Sequence, residues 1–123
     1  MKDPNHLAGF GISEDIRALV PDGLAPARVT AVNRTNCEIE TRSGPAIAEL
    51  TGRLRFEAES SLEFPSVGDW VAVNQMDDFA LITEVLERSS VLRRRRPGTE
   101  GDFQLLAANV DVALIIQGCD LPV

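Results

Sequence analysis

The residues best able to do chemistry in this chain are four consecutive arginines with a fifth just before them: Arg93, Arg94, Arg95 and Arg96, preceded by Arg88. A guanidinium group presents paired, planar N–H donors that match phosphate oxygens, and each neutralised phosphate releases condensed counterions. Blocks of like charge often serve as nucleic-acid-binding arms. The block therefore predicts contacts with nucleic-acid phosphates, and a solvated linker whose charge only aids solubility is the alternative.

The charge around this block has the opposite sign. The chain has 123 residues and a formal net charge of −7. Residues 1–87 carry fifteen acidic and seven basic residues, a balance of −8, whereas residues 88–96 contribute +5 and residues 97–123 contribute −4. Screening in physiological salt acts over about 8 Å, so near charges outweigh distant ones. This distribution disfavours a general nucleic-acid binder but allows local phosphate binding, and the acidic body also suits a basic protein partner.

Catalytic, cofactor-binding and metal-binding residues are not predicted in this chain. His6 is its only histidine, and Cys37 and Cys119 are far apart without metal-ligand spacing. Ser89 and Ser90 have no histidine near them in sequence that could act as a base. Because no export signal or bilayer-spanning apolar run is present, we expect a cytoplasmic protein with reduced thiols and no membrane contact.

The elements that position the arginines are predicted from short segments in which apolar and polar residues alternate. Apolar and polar residues alternate over residues 27–31, 37–41 and 50–56, and two further strand-like segments cover 67–73 and 80–86. Such alternation indicates half-buried antiparallel strands. Five strands with a longer connection between the third and fourth, where an OB fold commonly carries its helix, predict an all-β, five-stranded OB-fold Greek-key barrel. An SH3-like barrel has a similar strand count.

Two more arginines lie on the third predicted strand. Arg53 and Arg55 would share one face of this strand, opposite Leu54 and Phe56. OB barrels bind nucleic acid over their second and third strands and the adjoining loops. Arg53 and Arg55 are therefore candidate RNA contacts, with an ordinary polar outer face as the alternative.

Aromatic residues are scarce for a single-strand binder. The chain has no tyrosine, five phenylalanines and one tryptophan, Trp70, which we expect in the core. Proteins that bind single strands usually stack bases on aromatic side chains. The composition thus favours docking on folded RNA by shape and charge.

The chain divides into four predicted segments. Residues 1–26 form a lead-in with a short helix capped by Ser13, and residues 27–92 form the OB domain. Residues 93–104 form a basic Pro/Gly linker, and residues 105–123 begin a truncated second domain. Within the last segment, Val110–Ile116 is apolar apart from Asp111, a composition typical of a central parallel strand covered on both faces. We expect an orphan strand of an α/β domain there.

Several motifs occur in a characteristic order: Val67-Gly68-Asp69-Trp70-Val71, Arg88-Ser89-Ser90-Val91-Leu92-Arg93, Gln104 and Ala107-Ala108-Asn109-Val110-Asp111. In these motifs the chain resembles the N-terminal part of the ribosome small-subunit-dependent GTPase A family, the RsgA/YjeQ type. The resemblance runs from about Ala27 to Gln117.

The resemblance implies a parent protein with an OB domain, a circularly permuted GTPase domain and a zinc-binding domain. It implies GTP, Mg and zinc as cofactors of that parent, and the small ribosomal subunit with its rRNA as its partner. We expect the protein to be a monomer. The motifs N-K-x-D and G-x-x-x-x-G-K-S/T do not occur here. GTP hydrolysis would belong to the parent, and this piece alone is expected to be inactive.

The function implied is docking of a GTPase on rRNA late in small-subunit maturation, through Arg53, Arg55, Arg88 and Arg93–Arg96. The alternative is a non-enzymatic OB module that binds a basic protein or single-stranded nucleic acid.

Overall fold

A computed structural model of the chain describes residues 6–57, 63–95, 98 and 103–118. A 3₁₀ helix spans His6–Phe10, and two short α-helices follow, α1 (Glu14–Ala18) and α2 (Gly52–Glu57). None of the helices described is long and apolar enough to cross a membrane. The strands are β1 (Ala25–Val32), β2 (Cys37–Thr41), β3 (Gly44–Leu50), β4 (Trp70–Gln75), β5 (Ala80–Val85), β6 (Val91–Arg95) and β7 (Phe103–Ala108).

The first five strands form a closed barrel in the order β1-β2-β3-β5-β4, and β1 pairs with both β2 and β4. The paired strands are antiparallel except β3 and β5, which run parallel. α2 lies between β3 and β4 in the chain. This closed, five-stranded arrangement confirms the predicted OB-type all-β fold.

The barrel interior is filled by small and branched apolar side chains from alternating positions. Val29, Ile39, Val71, Val73 and Ile82 are at most 1% exposed. Their period of two matches the pleat of the strands, and it is the signal that predicted the barrel.

A second apolar cluster lies where β4 is buried on its other face as well. Trp70 and Ala72 pack there with Leu7 and Leu86, and the lead-in adds further apolar side chains, among them Ile16. The lead-in therefore covers part of the barrel wall. Its helix α1 is capped as predicted, because Ser13 Oγ accepts a hydrogen bond from the Ile16 N–H at 3.3 Å. The predicted core position of Trp70 is also confirmed, since it is 2% exposed.

The third strand differs from its predicted position. The alternation over residues 50–56 predicted a strand, but β3 ends at Leu50 and residues 52–57 form α2. Thr51 starts this helix: its Oγ1 accepts from the Leu54 N–H at 3.2 Å, and its carbonyl accepts from the Arg55 N–H at 3.0 Å. This local capping overrides the alternation, so the prediction of Arg53 and Arg55 on a strand face was wrong.

The region after the barrel also differs from the prediction. Arg93, Arg94 and Arg95 were expected in a linker but lie in β6, which pairs antiparallel with β7 as a separate two-stranded sheet. The predicted strand Val110–Ile116 is wrong, because residues 109–118 form neither helix nor strand. No other strand pairs with that stretch within the described ranges, and Leu114 and Ile116 are 85% and 92% exposed. The division of the chain into domains stays a prediction.

Candidate nucleic-acid interface

The hairpin formed by β6 and β7, called the arm below, carries three of the seven predicted contact residues, Arg93, Arg94 and Arg95. Every residue of β6 is exposed. A bulge separates Leu92 from Arg93, and beyond it Arg94 pairs with Gln104 and Arg95 with Phe103. Because side chains alternate along a strand, Arg93 and Arg95 share one face of the arm and Arg94 occupies the other. Arg96 lies outside the described residues.

Two of the arm's guanidinium groups contact uncharged neighbours. The Cζ of Arg93 lies 4.3 Å from the ring centroid of Phe103. On the other face, Arg94 Nη2 donates to Gln104 Oε1 at 2.6 Å. A ring and a neutral amide orient a guanidinium without cancelling its charge. Among the described residues, no carboxylate pairs with Arg93, Arg94 or Arg95, and all three are exposed.

Two adjoining cavities run from the β1–β2 turn to the arm, and we call them together the groove. The first, of about 360 Å³, includes Arg34 and Arg55 in its lining. The second, of about 230 Å³, lies between the barrel and residues 104–106 of the arm. Both are lined by Val32, Phe64 and Pro65, so they are contiguous. The groove therefore has arginines near its first end and the basic arm at its second.

The groove separates the two arginines that were predicted together. Arg55 lines it, whereas Arg53 Nε binds Glu57 Oε2 at 3.1 Å on the outside of α2, with both side chains exposed. Arg34, in the loop between the first two strands, was not among the contacts predicted from the sequence. Its position in the loop between the first two strands was the available signal, because OB folds bind ligands with that loop.

Arg88 has a structural position. It forms a bidentate ion pair with Asp69, through Nε–Oδ1 at 2.7 Å and Nη2–Oδ2 at 2.8 Å. Nη2 also donates to the carbonyl of Phe64 at 3.0 Å. Asp69 is fully buried, and the Arg88 side chain is 17% exposed. Its charge is thus neutralised by the buried carboxylate, unlike those of the arm.

Arg28 connects three parts of the molecule. Its Nε donates to the carbonyl of Gly68 at 3.0 Å, its Nη2 to that of Asn109 at 3.0 Å, and its Nη1 to that of Phe10. Its Cζ lies 5.4 Å from the ring centroid of Trp70. The Arg28 side chain therefore bridges the lead-in, the barrel and the end of the arm by hydrogen bonds.

Asn109 completes the attachment of the arm to the barrel. Its φ of 54° is in the left-handed region, which asparagine tolerates better than most residues. Its Oδ1 accepts from the Ser89 N–H at 2.8 Å, and its Nδ2 donates to the Gly68 carbonyl at 2.9 Å. We call the contact between residues 67–69, 88–90, 108–110 and Arg28 the joint.

Gly68 brings the two backbones together at the joint. Its φ is +92°, and a Cβ placed on it would lie 2.1 Å from the carbonyl oxygen of Ala108. The Ala108 N–H in turn donates to the Val67 carbonyl at 2.8 Å. Only glycine allows this approach. Three of the motifs that carry the family resemblance, those at residues 67–71, 88–93 and 107–111, thus meet in space at the joint.

Two further observations concern the titratable groups of the described residues. Burial raises the pKa of the Cys37 thiol above its ordinary value. Within the described ranges, no group of three or more His, Cys, Asp or Glu side chains is placed to hold a metal ion. An exposed row of guanidinium groups is the kind of surface that suits an anionic polymer.

Barrel, joint and arm define an OB-fold domain with a basic hairpin at its end. No family model matches the chain. It is 32% identical over 126 residues to the small ribosomal subunit biogenesis GTPase RsgA of Leptospira interrogans, covering 98% of this chain and 34% of that protein. RsgA 1 of Oceanobacillus iheyensis is 34% identical over 96 residues, covering 76% of the chain and 27% of that protein.

A third relative, RsgA of Opitutus terrae, is 33% identical over 109 residues, covering 80% of the chain and 30% of that protein. The chain therefore belongs to the family of small ribosomal subunit biogenesis GTPases RsgA, which confirms the predicted resemblance. It spans about a third of the length of the curated relatives it matches.

Proposed function

We propose that this chain docks a GTPase of small-subunit biogenesis onto ribosomal RNA. The observation that carries the proposal is the exposed run Arg93–Arg95 on the arm, which pairs with no carboxylate within the described ranges. The names of the relatives support a role in biogenesis of the small subunit. GTP hydrolysis, with its GTP, Mg and zinc, is assigned in this proposal to parts of the parent protein outside this chain.

The acidic barrel and the basic arm together orient the chain on RNA. Phosphates are attracted to the arm and repelled by the body, since residues 1–87 carry a balance of −8. A groove with Arg34 and Arg55 near its far end offers a second contact, and Arg53 on the outside of α2 remains a weaker candidate. In this proposal Arg96 adds a further phosphate contact, and Arg88 acts by holding the joint.

Salt dependence of binding tests the proposal. Binding of the chain to isolated small ribosomal subunits would be measured by filter binding at several salt concentrations. Each phosphate contact contributes about 0.7 to 0.9 to the slope of log affinity against log salt. Replacing Arg94 and Arg95 with Ala should therefore reduce the slope by about 1.5.

A charge-matched control separates contact from net charge. Replacing Arg17, in α1, and Arg42, in the β2–β3 turn, with Ala removes the same charge from other exposed surfaces. This control should leave the slope unchanged. Equal losses from the two double variants, or no loss from either, would contradict docking through the arm.

The chain alone should release no phosphate from GTP. Turnover above the buffer blank would contradict the assignment of GTP hydrolysis to other parts of the parent protein.

A second candidate function is a non-enzymatic module whose acidic barrel binds a basic protein. The −8 balance of residues 1–87 favours it. Binding of purified small-subunit proteins that survives nuclease treatment, and that is unchanged in the Arg94/Arg95 variant, would support this function over RNA docking.

A further inference from the structure

We propose that Phe103 and Arg93 form a stacking site for one unpaired nucleobase on the arm. The proposal rests on the proposed function, because the arm must first meet RNA. It adds the kind of RNA that this point of the arm takes: a single-stranded nucleotide rather than a duplex.

The two side chains lie together on one face of the arm. Arg93 is paired with Leu105 across the hairpin, and Arg95 is paired with Phe103. Since strand side chains alternate, these four residues share a face. Within it, Arg93 Cζ lies 4.3 Å from the Phe103 ring centroid, and Arg93 itself is exposed. A planar cation thus lies against an aromatic ring, and the cation is exposed while the ring is partly exposed.

This pair is not explained by packing. An aromatic residue in a two-stranded sheet has no second layer to complete a core. The described ring contact of Phe103 is with the Arg93 guanidinium, and the apolar clusters of the barrel and the lead-in do not include it. Phe103 is half-buried, so part of its surface remains accessible.

An unpaired base fits this surface better than other occupants. Splayed-out RNA bases stack on phenylalanine rings and on guanidinium planes, whereas a duplex keeps its bases inside and is read by shape. Arg95, directly opposite Phe103, can neutralise the phosphate of the stacked nucleotide. The aromatic residue that single-strand binding requires is therefore present in the arm, although the composition of the chain argued against it.

The test compares Phe103→Leu with Phe79→Leu. Phe79, 39% exposed beside Asp77 and Asp78, is an aromatic residue in acidic surroundings and serves as the control. The probes are a single-stranded decaribonucleotide and the blunt duplex of the same sequence. Phe103→Leu should weaken single-strand binding about 5- to 100-fold, the loss of one base–aromatic stack, with an unchanged salt slope. Phe79→Leu should change neither probe.

A second variant keeps the result interpretable if Phe103→Leu loosens the arm. Phe103→Trp preserves a flat ring and should restore single-strand binding to within about threefold. Equal single-strand affinity for Phe103→Leu and the unchanged chain would overturn the stacking site while leaving the salt effect of Arg94 and Arg95 intact. Equal losses for single strand and duplex would also overturn it. If Phe103→Leu acts and the arginine variant does not, the phosphate contacts of the proposed function fail instead.

Discussion

Replacing Gly68 with Ala should break the joint, and the structure allows the cost to be worked out. Two effects contribute. At φ +92° an L-residue costs about 1–2 kcal/mol more than glycine. The new Cβ would also stand 2.1 Å from the Ala108 carbonyl oxygen, closer than the 3.0 Å that real Cβ atoms keep. The backbones must therefore separate by about 0.9 Å, the difference between these distances.

This separation of the two backbones would lengthen or break the hydrogen bonds of the joint. Those closest to the clash are the Asn109 Nδ2 bond to the Gly68 carbonyl at 2.9 Å and the Ala108 N–H bond to the Val67 carbonyl at 2.8 Å. Losing two such bonds costs about 1–3 kcal/mol. We expect Gly68→Ala to reduce the free energy of unfolding by about 3 kcal/mol, or to detach the arm locally at a similar cost.

Gly23→Ala is the matched control. Gly23 has a similar φ of +85°, but no atom lies within 4 Å of the position its Cβ would take. Gly23→Ala should lower the free energy of unfolding only by the cost of placing an L-residue at positive φ, about 1–2 kcal/mol. The difference between the two variants then measures the close approach at the joint.

Urea unfolding followed by the fluorescence of Trp70, the single tryptophan, reports on the barrel. Amide hydrogen exchange at Ala108 and Asn109 reports on the joint. Gly68→Ala should lose protection at these two amides before the barrel unfolds. Equal effects of Gly68→Ala and Gly23→Ala in both measurements would refute the reasoning.

Two further predictions concern buried polar groups. Arg88→Ala leaves the buried Asp69 carboxylate uncompensated and should cost about 3–5 kcal/mol in urea unfolding, whereas Arg53→Ala, at an exposed pair, should cost less than about 1 kcal/mol. Similar costs for the two would show that the Asp69 pair is not desolvated. Burial raises the pKa of Cys37, so its neutral thiol is favoured in the folded state, and this stability is lost as the pH rises through about 9. The difference in unfolding free energy between the chain and Cys37→Ala should be constant below that pH and should shrink above it, and a constant difference up to pH 10 would contradict the burial of the thiol.

The barrel was predictable because its information is local and periodic. Val29, Ile39, Val71 and Ile82 stand at alternating positions, and burial of one face of a pleated strand requires that pattern. The Ser13 cap was predictable for the same reason, since a cap involves only the first turn of a helix. Residues 50–56 also alternate, but Thr51 caps a helix there. The predicted strand was therefore wrong, and α2 forms instead.

The arm and the stretch after it could not be read in this way. β6 is exposed along its whole length, so no burial pattern marks it as a strand. The apolar run after Asn109 has the composition of a buried strand, but composition does not supply pairing partners. A strand requires backbone groups on a neighbouring chain segment, and in the described structure β7 ends at Ala108.

The sequence by itself determined the barrel, the basic run and the family, because periodicity, charge and motif order are properties of the chain. Only the tertiary structure decided what the arginines do. Arg88 and Arg28 hold the joint through Asp69 and backbone carbonyls, whereas Arg93–Arg95 remain exposed. Arginines look alike in a sequence, and the difference arises from which acceptors the fold brings within about 3 Å of each guanidinium.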